Sequence, residues 1–267
     1  MDKTNAAIGV FDSGVGGLTV LRRIMALLPN ESVHYLGDTA RVPYGTKSRD
    51  TVIRYAQGCA RLLMEQDIKM LVVACNTASA FAVEALQAQL DIPVVGVVEP
   101  GARAAATQTK SGRIGVISTA STLQSGAYPD AIQRVLPYAT VYSHACPLFV
   151  PLAEEGWTTG DVPRQVATQY LAPLLEAGID TLVLGCTHYP LLQDVITQVM
   201  GSAVTLVDSA AETAQAVQSI LLERDLAKTD QKSVHYRYFV TDAPESFVRT
   251  GAAFLGHDLD SVQWIDY

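Results

Sequence analysis

The sequence predicts an α/β protein of two pseudo-symmetric domains, each a mostly parallel sheet flanked by helices. Two observations carry this expectation. Short β-branched runs alternate with longer amphipathic stretches from one end of the chain to the other, the pattern of βα units around parallel sheets. Two short motifs also recur in the same order, as they would in two related halves. With 267 residues, 49% of them hydrophobic, the chain can bury a large core.

Taken in order, the strand-like runs are residues 8–11, 33–36, 70–74, 94–98, 113–117, 140–143, 181–184 and 205–207. A last run, 235–241, is expected at a sheet edge. Between them, residues 18–28, 49–66, 78–90, 164–177 and 211–222 carry apolar side chains at helical spacing. No linker or low-complexity tract divides the chain.

The repeat organises these elements. Ile8-Gly9-Val10-Phe11-Asp12-Ser13 recurs as Ile114-Gly115-Val116-Ile117-Ser118-Thr119, and Leu71-Val72-Val73-Ala74-Cys75-Asn76-Thr77 recurs as Leu182-Val183-Leu184-Gly185-Cys186-Thr187-His188. The two offsets nearly agree, which favours duplication over chance likeness between apolar strands. Cys75 and Cys186 then each lie at the carboxyl end of a strand where the next helix begins, the edge at which open parallel sheets bind ligands. Two such edges packed together would hold one ligand in the cleft between two thiols.

Composition removes several classes of function. A formal net charge of −8 argues against a phosphate-binding surface for nucleic acid, which needs clustered Lys and Arg. No apolar stretch approaches the ~20 residues of a membrane span, and Met1-Asp2-Lys3-Thr4-Asn5 does not resemble an export signal. Cys59, Cys75, Cys146 and Cys186 are too few and too scattered for a disulfide scaffold. Free thiols in the cytoplasm and a small-molecule substrate are the expectation.

A helix amino terminus presents unpaired N–H groups that favour a thiolate, so Cys75 and Cys186 are candidate reactive groups. The rival reading is a small buried core residue. Their polar followers, Asn76-Thr77 and Thr187-His188-Tyr189, weigh against it, whereas Cys59, inside a helical stretch, and Cys146, before Pro147, read as structural. Two facing thiols suit inversion at a carbon: one group removes a proton from one face while its counterpart delivers a proton to the other. Thiols titrate near enough to neutrality to serve in both states.

The loop Asp12-Ser13-Gly14-Val15-Gly16-Gly17 lets backbone N–H groups approach an anion, yet it lacks the spacing of a dinucleotide or phosphate loop. Asp12 reads equally as a helix cap or as a proton-sharing neighbour of a thiol. His188 either satisfies local backbone, tunes Cys186, or joins a zinc site, the last being weak because a Cys-x-His pair supplies too few ligands. Tyr44-Gly45, in a Pro-Tyr-Gly turn, lie at the same sheet edge. Glu154 reads by position alone as solvated surface.

The segments Phe11 to Val20, Ala74 to Ser79 and Gly185 to Pro190, with the loop Asp38 to Gly45 and the run Cys146 to Gly156, resemble those of bacterial glutamate racemases over essentially the whole chain. The resemblance implies a first domain of residues 1–98 and 207–267, a second of 99–206, and glutamate enclosed between them. It implies that Cys75 acts on D-glutamate and Cys186 on L-glutamate, with Asp12 assisting the first and Glu154 and His188 the second, although adjacent Glu155 competes for that role. Asp12, Ser13, Tyr44, Gly45, Asn76, Thr77, Thr187 and His188 match the family's substrate-binding positions. No pyridoxal phosphate or metal is implied, and the product D-glutamate would serve peptidoglycan synthesis. A homodimer is implied as well, with DNA gyrase binding as in some members; the extended amino terminus of precursor-activated members is not expected. The alternatives are a racemase of aspartate or another amino acid, a non-catalytic ligand- or partner-binding protein, and a zinc hydrolase.

Overall fold

A computed structural model describes residues 3–228 and 234–266. In chain order the first half holds β1 (Ala7–Asp12), α1 (Leu18–Leu27), β2 (Val33–Gly37), α2 (Arg49–Met64), β3 (Ile68–Val73), α3 (Asn76–Gln89), β4 (Val94–Gly96) and α4 (Val98–Gln108). There follow β5 (Arg113–Ser118), α5 (Ala120–Ser125), α6 (Ala127–Val135), β6 (Thr140–Ala145), α7 (Phe149–Glu154), α8 (Asp161–Glu176), β7 (Thr181–Gly185), α9 (Gln193–Met200) and β8 (Thr205–Asp208). The chain closes with α10 (Ser209–Glu223), β9 (Tyr236–Val240), α11 (Pro244–Leu255) and β10 (Val262–Trp264).

Among the described residues the strands form two sheets, ordered β10-β9-β2-β1-β3-β4 and β6-β5-β7-β8. Every pairing described is parallel. Parallel sheets are covered on both faces, so their central strands read as continuous apolar runs. β1, β2 and β3 are buried at every position. Alternate side chains go to opposite faces: Ile8, Val10 and Val72 pack with Leu21 of α1, Val217 of α10 and Phe254 of α11, while Phe11, Leu71 and Val73 pack with Ala56 of α2 and Ala82 of α3. In the smaller sheet Leu182 and Leu184 meet α8 and α9, and Ile114, Val116 and Val183 meet α4 and α6.

The repeated motifs occupy equivalent places. β1 and β3 are neighbours within the first sheet, and β5 and β7 are neighbours within the second. Gly9 and its counterpart Gly115 serve the same packing purpose. A Cβ on Gly9 would lie 2.6 Å from Ile68 Cδ1, and one on Gly115 would lie 2.4 Å from Ile179 Cδ1. In each sheet the chain leaves the first strand of the pair toward one side and returns for the second on the other, so the pair marks a topological switch point.

Two expectations need correction. Residues 235–241 were expected at an edge, but β9 is internal, paired with β2 on one side and with the short β10 on the other. The run 94–98 divides: the strand stops at Gly96 and Val98 opens α4, because the apolar side chains of Val97 and Val98 serve a helix start as well as a strand. No described helix is long and apolar enough to cross a membrane.

Candidate active site

Both switch points open toward one another, and the residues flanking them meet. Asp12 ends β1, Cys75 follows β3 as the residue capping α3, and Cys186 follows β7. Cys186 leads into a turn and the short 3-10 helix Tyr189–Leu192, not directly into an α-helix. Both cysteines are buried and unbridged. Cys186 is close enough that its charge bears on the Cys75 thiol.

Cys75 does not gain the lowered proton affinity that its place at a helix start suggested. Burial pushes the thiol up to about 12 and the Asp12 charge adds to this, outweighing the Ala78 amide and Ser13 hydrogen bonds that favour thiolate. Asp12 is itself fully buried. Burial raises its carboxyl above the ordinary range, opposed chiefly by His188 and by hydrogen bonds that include one from the Gly14 amide. The loop that supplies this amide is anchored from behind, where the Tyr35 hydroxyl donates to the Gly14 carbonyl at 2.8 Å.

On the other side His188 stands between two acidic partners. Its Nδ1 lies 3.8 Å from Cys186 Sγ and its Nε2 lies 2.9 Å from Glu154 Oε1. Burial disfavours the imidazolium, but the hydrogen bonds to Cys186 and Glu154, with the charges of Cys186 and Asp12, push the ring up to about 10. Glu154 is the last residue of α7 and its side chain is 37% exposed. It is Glu154, rather than the neighbouring Glu155, that meets the histidine.

Thr187 joins the two sides. Its hydroxyl donates to Asp12 Oδ1 at 3.4 Å and lies 3.4 Å from His188 Nδ1. Gly16 is required for this approach, since a Cβ there would fall 2.2 Å from Thr187 Oγ1 and 2.6 Å from His188 Nδ1.

The remaining predicted residues divide by what their side chains do. The Asn76 Oδ1 accepts from the Tyr128 hydroxyl at 2.6 Å, and its Nδ2 is buried without a hydrogen-bond partner, a donor in want of an acceptor. Thr77 Oγ1 lies 3.0 Å from both Thr119 Oγ1 and Thr122 Oγ1. The Tyr44 hydroxyl is engaged elsewhere, bonded to the Asp38 carboxylate and 3.8 Å from Cys59 Sγ. Gly45 fits against the second sheet's loop: a Cβ there would meet Thr119 at 2.7 Å, and its carbonyl accepts from Ser121 Oγ at 2.9 Å.

Thr119 and Thr122 were not singled out from sequence. The repeat held the signal, since it pairs Thr119 with Ser13. Chemically the assembly sets two buried thiols, Cys75 under the influence of Asp12 and Cys186 beside His188, near a cluster of hydroxyls and a buried amide that can donate. Among the described residues no three or more His, Cys, Asp or Glu side chains are placed to hold a metal ion together.

Comparison with known proteins agrees with this fold. Residues 8–217 match the family described as Asp/Glu/Hydantoin racemase. A glutamate racemase of Geobacter metallireducens is 59% identical over 96% of this chain and 95% of its own. Crystal structures of glutamate racemases from Bacillus anthracis, 42% identical, and from Francisella tularensis in complex with D-glutamate, 38% identical, each superpose with a TM-score of 0.92 over 98% of both chains. The chain belongs to the Asp/Glu/hydantoin racemase family, and within it to the glutamate racemases.

Proposed function

We propose that this enzyme interconverts D- and L-glutamate by a two-base reaction in which Cys75 and Cys186 exchange the α-proton across opposite faces of the carbon. The observation that carries the reading is the pairing of two buried thiols at facing switch points, each with its own ionisable assistant. The thiolate of one cysteine takes the α-proton as the thiol of the other supplies one from behind. The bond to hydrogen breaks on one side, a new one forms on the other, and the electron pair left on carbon is used in the new bond. We assign Cys75 to D-glutamate with Asp12 and Ser13 beside it, and Cys186 to L-glutamate with His188 and Glu154 beside it. An imidazolium next to Cys186 stabilises its thiolate as a neighbouring cation does in other reactive cysteines.

Glutamate carries two carboxylates, and the site has donors for both: the backbone of the Asp12–Gly17 loop with the Asn76 amide, and the hydroxyls of Thr77, Thr119 and Thr122. In this reading the lobes, with borders near residues 98 and 206, close on the substrate, and the D-glutamate formed serves peptidoglycan synthesis in the cytoplasm. The test is incubation of the purified protein with D- or L-glutamate, and in parallel with aspartate, in deuterated water. The antipode of glutamate, deuterated at its α-carbon, is the expected product. Exchange with aspartate alone, or none at all, would overturn the assignment.

A further inference from the structure

Each turnover leaves the two cysteines in exchanged states. After D-glutamate becomes L-glutamate, Cys75 holds the proton and Cys186 is thiolate, which is the form that acts on L-glutamate. A second turnover in the same direction requires one proton to leave Cys75 and one to arrive at Cys186. Resting on the two-base reading above, we infer that the hydroxyl of Thr187 carries this return, linking Asp12 beside Cys75 to His188 beside Cys186.

The geometry supplies the contacts from Asp12 to Cys186, and the Asp12 charge acts on the Cys75 thiol. Thr187 Oγ1 is 3.4 Å from Asp12 Oδ1 and 3.4 Å from His188 Nδ1, and that nitrogen is 3.8 Å from Cys186 Sγ. All of these side chains are buried. The Thr187 backbone is held from below, its carbonyl accepting from Thr19 Oγ1 at 3.2 Å, and Gly16 seals the hydroxyl at closer range than any side chain would permit. A hydroxyl can accept one proton while donating another.

The balance is simple. The His188 Nδ1–H gives its proton to the Cys186 thiolate, the freed Nδ1 takes the Thr187 hydrogen as Thr187 Oγ1 takes the proton of the Asp12 carboxyl, and that carboxyl is the Asp12 carboxylate protonated by the Cys75 thiol. Carboxylate, hydroxyl and imidazolium end as they began. The carboxyl of Asp12 and the ring of His188 both have raised proton affinities, as groups that must hold a proton in transit require. The chain reaches solvent at Glu154, which with Gly14, Val15 and Arg249 lines a groove of about 560 Å³.

The return step is isolated by tracer perturbation. A labelled D,L-glutamate pool at isotopic equilibrium is challenged with a large excess of one unlabelled enantiomer; label is driven transiently away from equilibrium only when the two free-enzyme forms interconvert slowly. Thr187→Val and Thr187→Ala should show this countertransport at substrate concentrations at least about tenfold lower than wild type, in keeping with the weight of one proton-transfer group. Thr187→Ser, which keeps the hydroxyl, should behave as wild type. Weakened substrate binding alone does not produce countertransport. Equal behaviour of the Val, Ala and Ser variants would overturn the role, as would loss of single-turnover racemisation in both Val and Ala variants, which would place the hydroxyl in the chemical step. Absence of racemisation by wild type would instead refute the two-base reading itself.

Discussion

His188 bridges Glu154 and Cys186 through its two ring nitrogens, at 2.9 Å and 3.8 Å. The carboxylate therefore fixes which nitrogen faces the sulfur and favours the charged ring.

Replacing Glu154 by Gln keeps the shape and removes the charge. The imidazolium, held at about 10 in the intact protein, should lose its proton at lower pH, so the basic limb of the kcat/KM profile moves downward. The rate near neutrality should fall by about 10–100-fold. The sign for stability follows from the same shift: a histidine raised from 6.5 adds stability that is complete below 6.5 and is lost as pH rises through about 10. The melting temperature of wild type relative to His188→Gln should therefore decline over that interval.

Asp12 has the same sign of pH dependence, beginning at a lower pH. Its carboxyl is raised above 3.8 by burial, so ionising it in the fold opposes folding as pH climbs past that value. Asp12→Asn, still able to accept from the Gly14 amide, should melt higher than wild type at neutral pH, with the advantage vanishing as pH falls toward 3.8. Racemisation should drop by about 10²-fold or more. Paired melting curves and initial rates check both halves.

Gly16→Ala places a methyl 2.2 Å from Thr187 Oγ1. Overpacking of this kind costs about 1–3 kcal/mol, and because Thr187 and His188 must shift together, activity should fall by more than the stability loss suggests. Chemical denaturation and kcat/KM measured on the same preparation test this.

Thr122→Val removes one hydroxyl from the cluster formed with Thr77 and Thr119. A hydrogen bond to a charged group contributes about 1.5–3 kcal/mol, so KM for glutamate should rise by about 10–100-fold while kcat changes little. A fall in kcat at constant KM would place the cluster elsewhere in the reaction.

The two switch-point strand pairs and both thiols were legible in the sequence because β1 and β3 are buried on both faces, and such strands repeat as recognisable apolar runs. The terminal strands were less so. Val262–Trp264 is a short segment with two of its three residues exposed, which gives no periodic signal, and without it β9 looked like an edge. Thr119 has a local part as a helix cap, accepting from the Thr122 amide. Their second contact, with Thr77, exists only once the sheets face each other. The proton affinity of Cys75 was misjudged for a similar reason: the helix start is written locally, whereas its burial and the nearness of Asp12 are properties of the assembled fold.

The most direct measurement is the placement of glutamate between the sulfurs in a crystal of the complex. The account predicts Cys75 Sγ and Cys186 Sγ on opposite faces of the α-carbon, each within about 3–3.5 Å, the range of a near-attack geometry. Both sulfurs on one face, or one of them out of reach of the carbon, would contradict it.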